Sequence, residues 1–207
     1  PREYQPHLPF MGSSVPVVSR VDLQWSGFTE AHLAGVRHHG WRLMSGLPVE
    51  VGRLLASGES FIYAYYDGID KVAHEFGFDA HYEAELRAVD RMVGDILEVL
   101  VPGSVLCITA DHGQVDVGDR VVAPDDAVLQ LTRSQSGEGR FRWLHARAGT
   151  AGDLLSAAAV HDDIAWVVSR EQVLDEGWFG PYVSSLVARR FGDVALVARE
   201  PVSFDDP

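Results

Sequence analysis

The stretch Phe61-Ile-Tyr-Ala-Tyr-Tyr-Asp-Gly-Ile-Asp-Lys-Val-Ala-His74 decides the fold when read with Val105-Leu-Cys-Ile-Thr-Ala-Asp-His-Gly113. Each pairs a short apolar run with acidic and imidazole side chains just behind it. Phe61 to Tyr66 reads as a buried strand and Ser104 to Ala110 as the next one. Between them Leu86, Val89, Val93, Ile96, Leu97 and Leu100 recur at three- and four-residue spacing, which predicts a helix over about 80–100. Pro102-Gly103 stops it. Strand, long helix, strand is a βαβ unit, so a parallel sheet with a right-handed crossover is expected. Open sheets of this kind carry their chemistry at the carboxyl ends of the strands, where both clusters fall.

The remaining segments are read outward from this unit. Residues 1–27, rich in Pro, Ser and Gly, read as an extended approach segment. Thr29 is the expected N-cap of a helix running to about Met44, with Glu30 in its first turn. Pro48 suits the first turn of another helix, ending near Ser57-Gly58. Beyond Gly113 the elements shorten. Gly118-Asp119 turns into Arg120-Val-Val122, and Asp125-Asp126 caps a short helix to about Arg133. Ser134 to Gly139 reads as a loop and Arg140 to Ala146 as a strand. Ala151 to Val160, Glu171 to Glu176 and Pro181 to Arg190 read as helical. Ile164 to Ser169 and Val194 to Arg199 read as extended, and Phe204 to Pro207 as turn-like. One domain over residues 1–207 is expected, incomplete at both ends, with a subdomain over 120–200.

Composition narrows the class. With 46% hydrophobic and 23% charged residues the chain is expected to bury a core rather than remain disordered. A formal net charge of -13 argues against a broad nucleic-acid backbone surface, which needs clustered Lys and Arg. It leaves room for a small phosphate-bearing substrate, because bound cations reverse the local sign where an anion sits. Cys107 stands alone, so no internal disulfide forms, and its apolar setting predicts a buried core thiol. No membrane span or signal peptide is legible; the location is left unknown, with the cytoplasm slightly favoured.

Asp70 and His74 lie four residues apart, on one face of a helical turn, where carboxylate and imidazole can grip one cation. Asp111 and His112 are adjacent, so they converge only where a strand has ended and the backbone turns, which Gly113 permits. Either pair alone has a bland reading, an exposed helix start or a polar turn. At the same ends of two consecutive parallel strands they should lie close in space and form a metal site. Asp70 is preferred to Asp67 as the partner of His74. His38 and His39, placed on a helix, would point about 100° apart and could not face one ion. His145 reads as a surface or packing residue, and His161 as part of a capped helix end. His7, His32 and His81 show no partner pattern, and Trp143, Trp166, Trp178 and Phe179 read as packing.

These motifs carry a family resemblance. Asp70-x-x-x-His74 after a Tyr-rich strand resembles the first-metal motif of nucleotide pyrophosphatases/phosphodiesterases, in the alkaline phosphatase superfamily. Thr109-Ala-Asp-His-Gly113 resembles their second-metal motif. Residues 55–118 carry the resemblance most strongly. It implies an α/β, alkaline-phosphatase-like fold, a mostly parallel sheet flanked by helices, with a smaller α+β region after residue 120. It also implies two divalent cations, zinc by preference, with Asp70 and His74 on one and Asp111 and His112 on the other. The implied activity is hydrolysis of small phosphate esters, such as nucleotides. The family's threonine or serine nucleophile and its late His-Gly ligand have no match here, so no catalytic residue is assigned. Ala73 stands where the family often has Gly. The alternatives are an inactive relic or binding module with the same fold, or another superfamily member such as a sulfatase or phosphate mutase.

Overall fold

The computed structural model describes residues 5–205, which divide into two compact units, one ending at Gln114 and the other starting at Val115. The second begins a little ahead of residue 120, where shorter elements were expected.

The first unit is built on a parallel sheet in the order β2-β1-β3, with β1 at Pro16–Arg20, β2 at Arg37–Trp41 and β3 at Tyr63–Ala64. Val17 and Val18 are both fully buried, as a strand covered on both faces requires. This corrects the approach-segment reading of residues 1–27, of which 1–4 lie outside the described residues. Proline is tolerated at a strand's first position, so Pro16 did not preclude β1.

A 3-10 helix, Val21–Trp25, and α1, Gly27–His32, lead from β1 to β2. Ser26, not Thr29, caps α1, its hydroxyl accepting from the Thr29 N–H. The helix expected to reach Met44 stops at His32. Gly35 then takes a φ of +85°, a turn incompatible with helix continuation, and Arg37–Trp41 pairs with β1 instead. Consequently His38 and His39 sit on a strand and alternate between its faces.

Helix α2, Gly46–Ala56, follows the sequence reading, with Pro48 in its first turn and Gly58 leaving it at a φ of +90°. Helix α3 spans Gly68–Phe76, and α4 spans Ala80–Val99 with Asp79 as its cap, close to the predicted 80–100. Leu47, Val51 and Leu54 of α2 pack with Met92 and Ile96 of α4 against Val18 and Trp41. The outer part of the predicted stripe, Leu86 and Leu97, is exposed.

Two strand expectations are corrected. Phe61–Tyr66 yields only the two residues of β3, with Phe61 and Tyr63 exposed. Ser104–Ala110 forms no strand. Among the described residues no backbone hydrogen bond ties Val105 to Ala110, and Val105 is 90% exposed. A strand exists only as part of a ladder, and this apolar run has none here. Only Leu106 reaches the core, and Cys107 is exposed rather than buried.

The second unit is α+β. Strand β4, Val121–Val122, pairs in parallel with β9, Ser203–Phe204. An antiparallel sheet runs β5-β6-β8-β7, formed by β5 Thr132–Glu138, β6 Phe141–Ala146, β7 Ala165–Ser169 and β8 Val194–Ala198. Helices α5 Asp126–Leu131, α6 Ala151–Ala158, α7 Arg170–Asp175 and α8 Ser185–Ala188 complete it. The expected loop at Ser134–Gly139 is mostly β5, because cross-strand pairing with β6 overrides the weak strand propensity of Ser, Gln and Gly. The helix expected over Pro181–Arg190 shrinks to α8. Phe204 is not in a turn but buried with Val128, Leu144, Leu154 and Leu196, while residues 206–207 lie outside the described residues. Trp143 packs on the other face of the sheet with Val168, Val173 and Ala195.

Candidate metal centre

All four predicted donors belong to the first unit. Asp70 and His74 sit on α3, directly after β3, and the i,i+4 spacing puts His74 Nε2 3.4 Å from Asp70 Oδ1. Asp111 and His112 follow the unpaired apolar run. Their backbone has turned, so the two adjacent side chains converge, with His112 Nε2 3.9 Å from Asp111 Oδ1. The two clusters meet: His112 Nε2 is also 3.9 Å from Asp70 Oδ1. Gln114 Nε2 donates to the same Asp70 oxygen at 3.2 Å across a sequence separation of 44 residues.

His112 Nδ1 lies 3.0 Å from the Gly113 carbonyl oxygen. A carbonyl only accepts, so Nδ1 carries the hydrogen and the neutral ring keeps its lone pair on Nε2, toward the carboxylates. A ligating histidine is commonly oriented this way, by a backbone carbonyl on its other nitrogen. Donors sharing one tetrahedral cation at about 2.1 Å stand roughly 3.4 Å apart. The Asp70–His74 pair meets that spacing, and the oxygen and imidazole donors suit zinc and similar ions. Among the described residues, however, no three His, Cys, Asp or Glu side chains are grouped closely enough to hold an ion. The donor set fits a divalent cation in chemistry and in pairs, without closing a site.

The surrounding charges are arranged around Asp67, the N-cap residue of α3. Asp67 Oδ2 is 2.7 Å from Lys71 Nζ and 3.2 Å from Arg20 Nη1, and its side chain is only 13% exposed. Arg20 also pairs with Asp22 at 2.6 Å. Asp67 therefore ties the start of α3 to the end of β1, while Asp70 and Asp111 face solvent. Burial pushes the Tyr65 hydroxyl pKa up, and the negative charges of Asp67, Asp111 and Asp70 push it further. Tyr66 is raised too, by burial and then by its hydrogen bond to Glu85.

The other histidines are placed elsewhere. His38 Nε2 is 2.7 Å from Ser19 Oγ, and burial lowers its pKa. In the second unit His145 Nε2 is 2.8 Å from Ser136 Oγ, and buried His161 accepts from the Asp125 N–H at 3.2 Å. His81 is paired with Asp79 at the start of α4, and His32 stacks on Phe28. A cavity of about 380 Å³, lined by Trp25, Thr29, Glu30, Leu33 and His38 among others, includes none of the four donors. Sequence reasoning missed Gln114, Arg20, Lys71 and Tyr65. The one available signal was that Gln114 is the first side chain after Asp111-His112-Gly113 that can both donate and reach back.

The sequence profile of the family described as type I phosphodiesterase / nucleotide pyrophosphatase matches residues 18–206. No curated protein sequence matches. Among solved structures, murine ectonucleotide pyrophosphatase / phosphodiesterase 5 is similar over 94% of this chain and 53% of its own, with TM-score 0.64 and 13% identity. An inactive form of the same murine protein in complex with AMP is similar over 93% of this chain and 52% of its own, with TM-score 0.63 and 12% identity. The chain thus spans about half the length of the solved structures it matches, and at that identity the likeness establishes the fold. With a profile match running over nearly all of its length, the chain belongs to the type I phosphodiesterase / nucleotide pyrophosphatase family.

Proposed function

We propose that the full-length protein hydrolyses small phosphate esters, of phosphodiester or nucleotide pyrophosphate type, using two divalent cations, zinc by preference. Asp70, His74, Asp111 and His112 are the ligands this chain supplies. The observation that carries the reading is that two histidines from different motifs approach one carboxylate oxygen, His74 Nε2 at 3.4 Å and His112 Nε2 at 3.9 Å from Asp70 Oδ1. Family membership supports phosphate-ester chemistry. The AMP bound to the inactive murine protein supports a nucleotide as substrate.

Bound divalent cations supply Lewis-acid stabilisation of phosphate oxygens and lower the pKa of an attacking hydroxyl or water. The chain's own residues prepare for that. The carboxylates of Asp70 and Asp111 are open to solvent and so accessible to a cation. The Gly113 carbonyl holds the His112 ring with Nε2 turned inward. Arg20 and Lys71 are engaged by Asp67, which leaves Asp70 as the acid beside His74. The nucleophile and the remaining ligands are not among these residues, and the same reading assigns them to the rest of the full-length protein.

The test is turnover of bis(4-nitrophenyl) phosphate by the full-length protein with and without zinc, against an Asp111→Ala variant. Zinc-dependent turnover that falls by orders of magnitude in the variant supports the reading. A folded protein that binds metal without turnover is the inactive binding module instead.

A further inference from the structure

Gln114 is absorbed by none of the roles above, yet its side chain joins the two motif segments, Nε2 donating to Asp70 Oδ1 at 3.2 Å. We infer that Gln114 is a positioning residue that orients Asp70 for cation binding and locks the Asp-His-Gly turn to helix α3. The inference rests on the metal reading proposed above.

Asp70 sits on an exposed turn of α3, and its carboxylate is about half exposed. Left alone, such a side chain samples several rotamers, and ordering it on cation binding costs entropy. A carboxamide has two N–H donors and cannot ionise, so it fixes a carboxylate without neutralising it. Lysine at that place would compete with the cation, as Lys71 and Arg20 do for Asp67. Gln114 and Asp70 are both partly buried, so the hydrogen bond between them is partly shielded from water. Because it follows Gly113 directly, it carries the position of Asp111 and His112 over to Asp70. Removal of such an outer partner typically weakens metal affinity 10- to 100-fold.

The test uses the full-length protein in three forms: wild type, Gln114→Met, which keeps the volume and loses the donor, and Gln114→Asn, which keeps the donor on a shorter arm. Zinc affinity is measured by competition with a chelating dye, and geometry by the visible absorption of the cobalt-loaded forms. The expected result is a zinc Kd raised about 10- to 100-fold in Gln114→Met, an altered cobalt spectrum, and partial recovery in Gln114→Asn, with unchanged far-ultraviolet circular dichroism. A Gln114→Met protein whose Kd stays within twofold of wild type, with the same cobalt spectrum, overturns this inference and leaves the metal reading standing. A wild-type protein that takes up neither metal overturns both.

Discussion

Asp70 Oδ1 and His74 Nε2 lie 3.4 Å apart, one turn from each other on α3, while Asp67, one turn earlier than Lys71, is enclosed by two cationic side chains. Two acids three residues apart on the same helix start therefore do different work. Asp67 anchors α3 to β1, and Asp70 is left open.

This division predicts opposite outcomes for two alanine substitutions. Asp67→Ala removes the acceptor shared by Arg20 and Lys71, both still reached by solvent, and should cost about 0.5–1.5 kcal/mol of stability, the net worth of a typical hydrogen bond. Asp70→Ala removes a half-exposed group and should change stability by less than about 0.5 kcal/mol, while abolishing zinc uptake. Urea unfolding and zinc titration of both variants check this. Loss of zinc uptake in Asp67→Ala with stability intact would exchange the two roles.

Acidification should destabilise the second unit through His161. Its imidazole is buried, and its Nε2 accepts from the Asp125 N–H, so the native state favours the neutral ring. Burial lowers its pKa from the ordinary value of 6.5. The unfolded chain then binds the proton first. Stability is fully present above pH 6.5 and falls as pH drops through and below that value, levelling only beneath the lowered native pKa. His161→Gln retains an acceptor and does not titrate, so its unfolding midpoint should vary less between pH 7.5 and 5.5. An unchanged pH slope would remove His161 from the account.

Cys107 should react rapidly with a thiol reagent in the native 207-residue chain, because it lies exposed in the unpaired run Val105–Ala110. The backbone amides of that run should exchange quickly for the same reason. Slow labelling together with protected amides would show that these residues form a ladder after all.

The sequence made helices legible where a cap, an apolar period and a stop agreed, as in α2 and α4. It misled where pairing, not propensity, decides. Pro16 hid β1, because a strand-initial proline looks like a loop residue. Arg37–Trp41 became β2 only through its register with β1. Ser134–Glu138 became β5 only through β6. Val105–Ala110 has the strand composition and lacks the neighbour that would make it one. The i,i+4 geometry of Asp70 and His74 and the turn at Asp111-His112-Gly113 were readable because both are local. Gln114 was not, because its partner is distant in sequence and nearby only in the fold.

The central claim is that Asp70, His74, Asp111 and His112 hold divalent cations. The most direct measurement is the metal content of the full-length protein after zinc reconstitution and removal of free metal, beside Asp111→Ala. The account predicts two zinc ions per chain in the wild type and a clear deficit in the variant with its fold retained. A folded wild-type protein that retains no zinc, or an Asp111→Ala protein that retains as much as wild type, would contradict it.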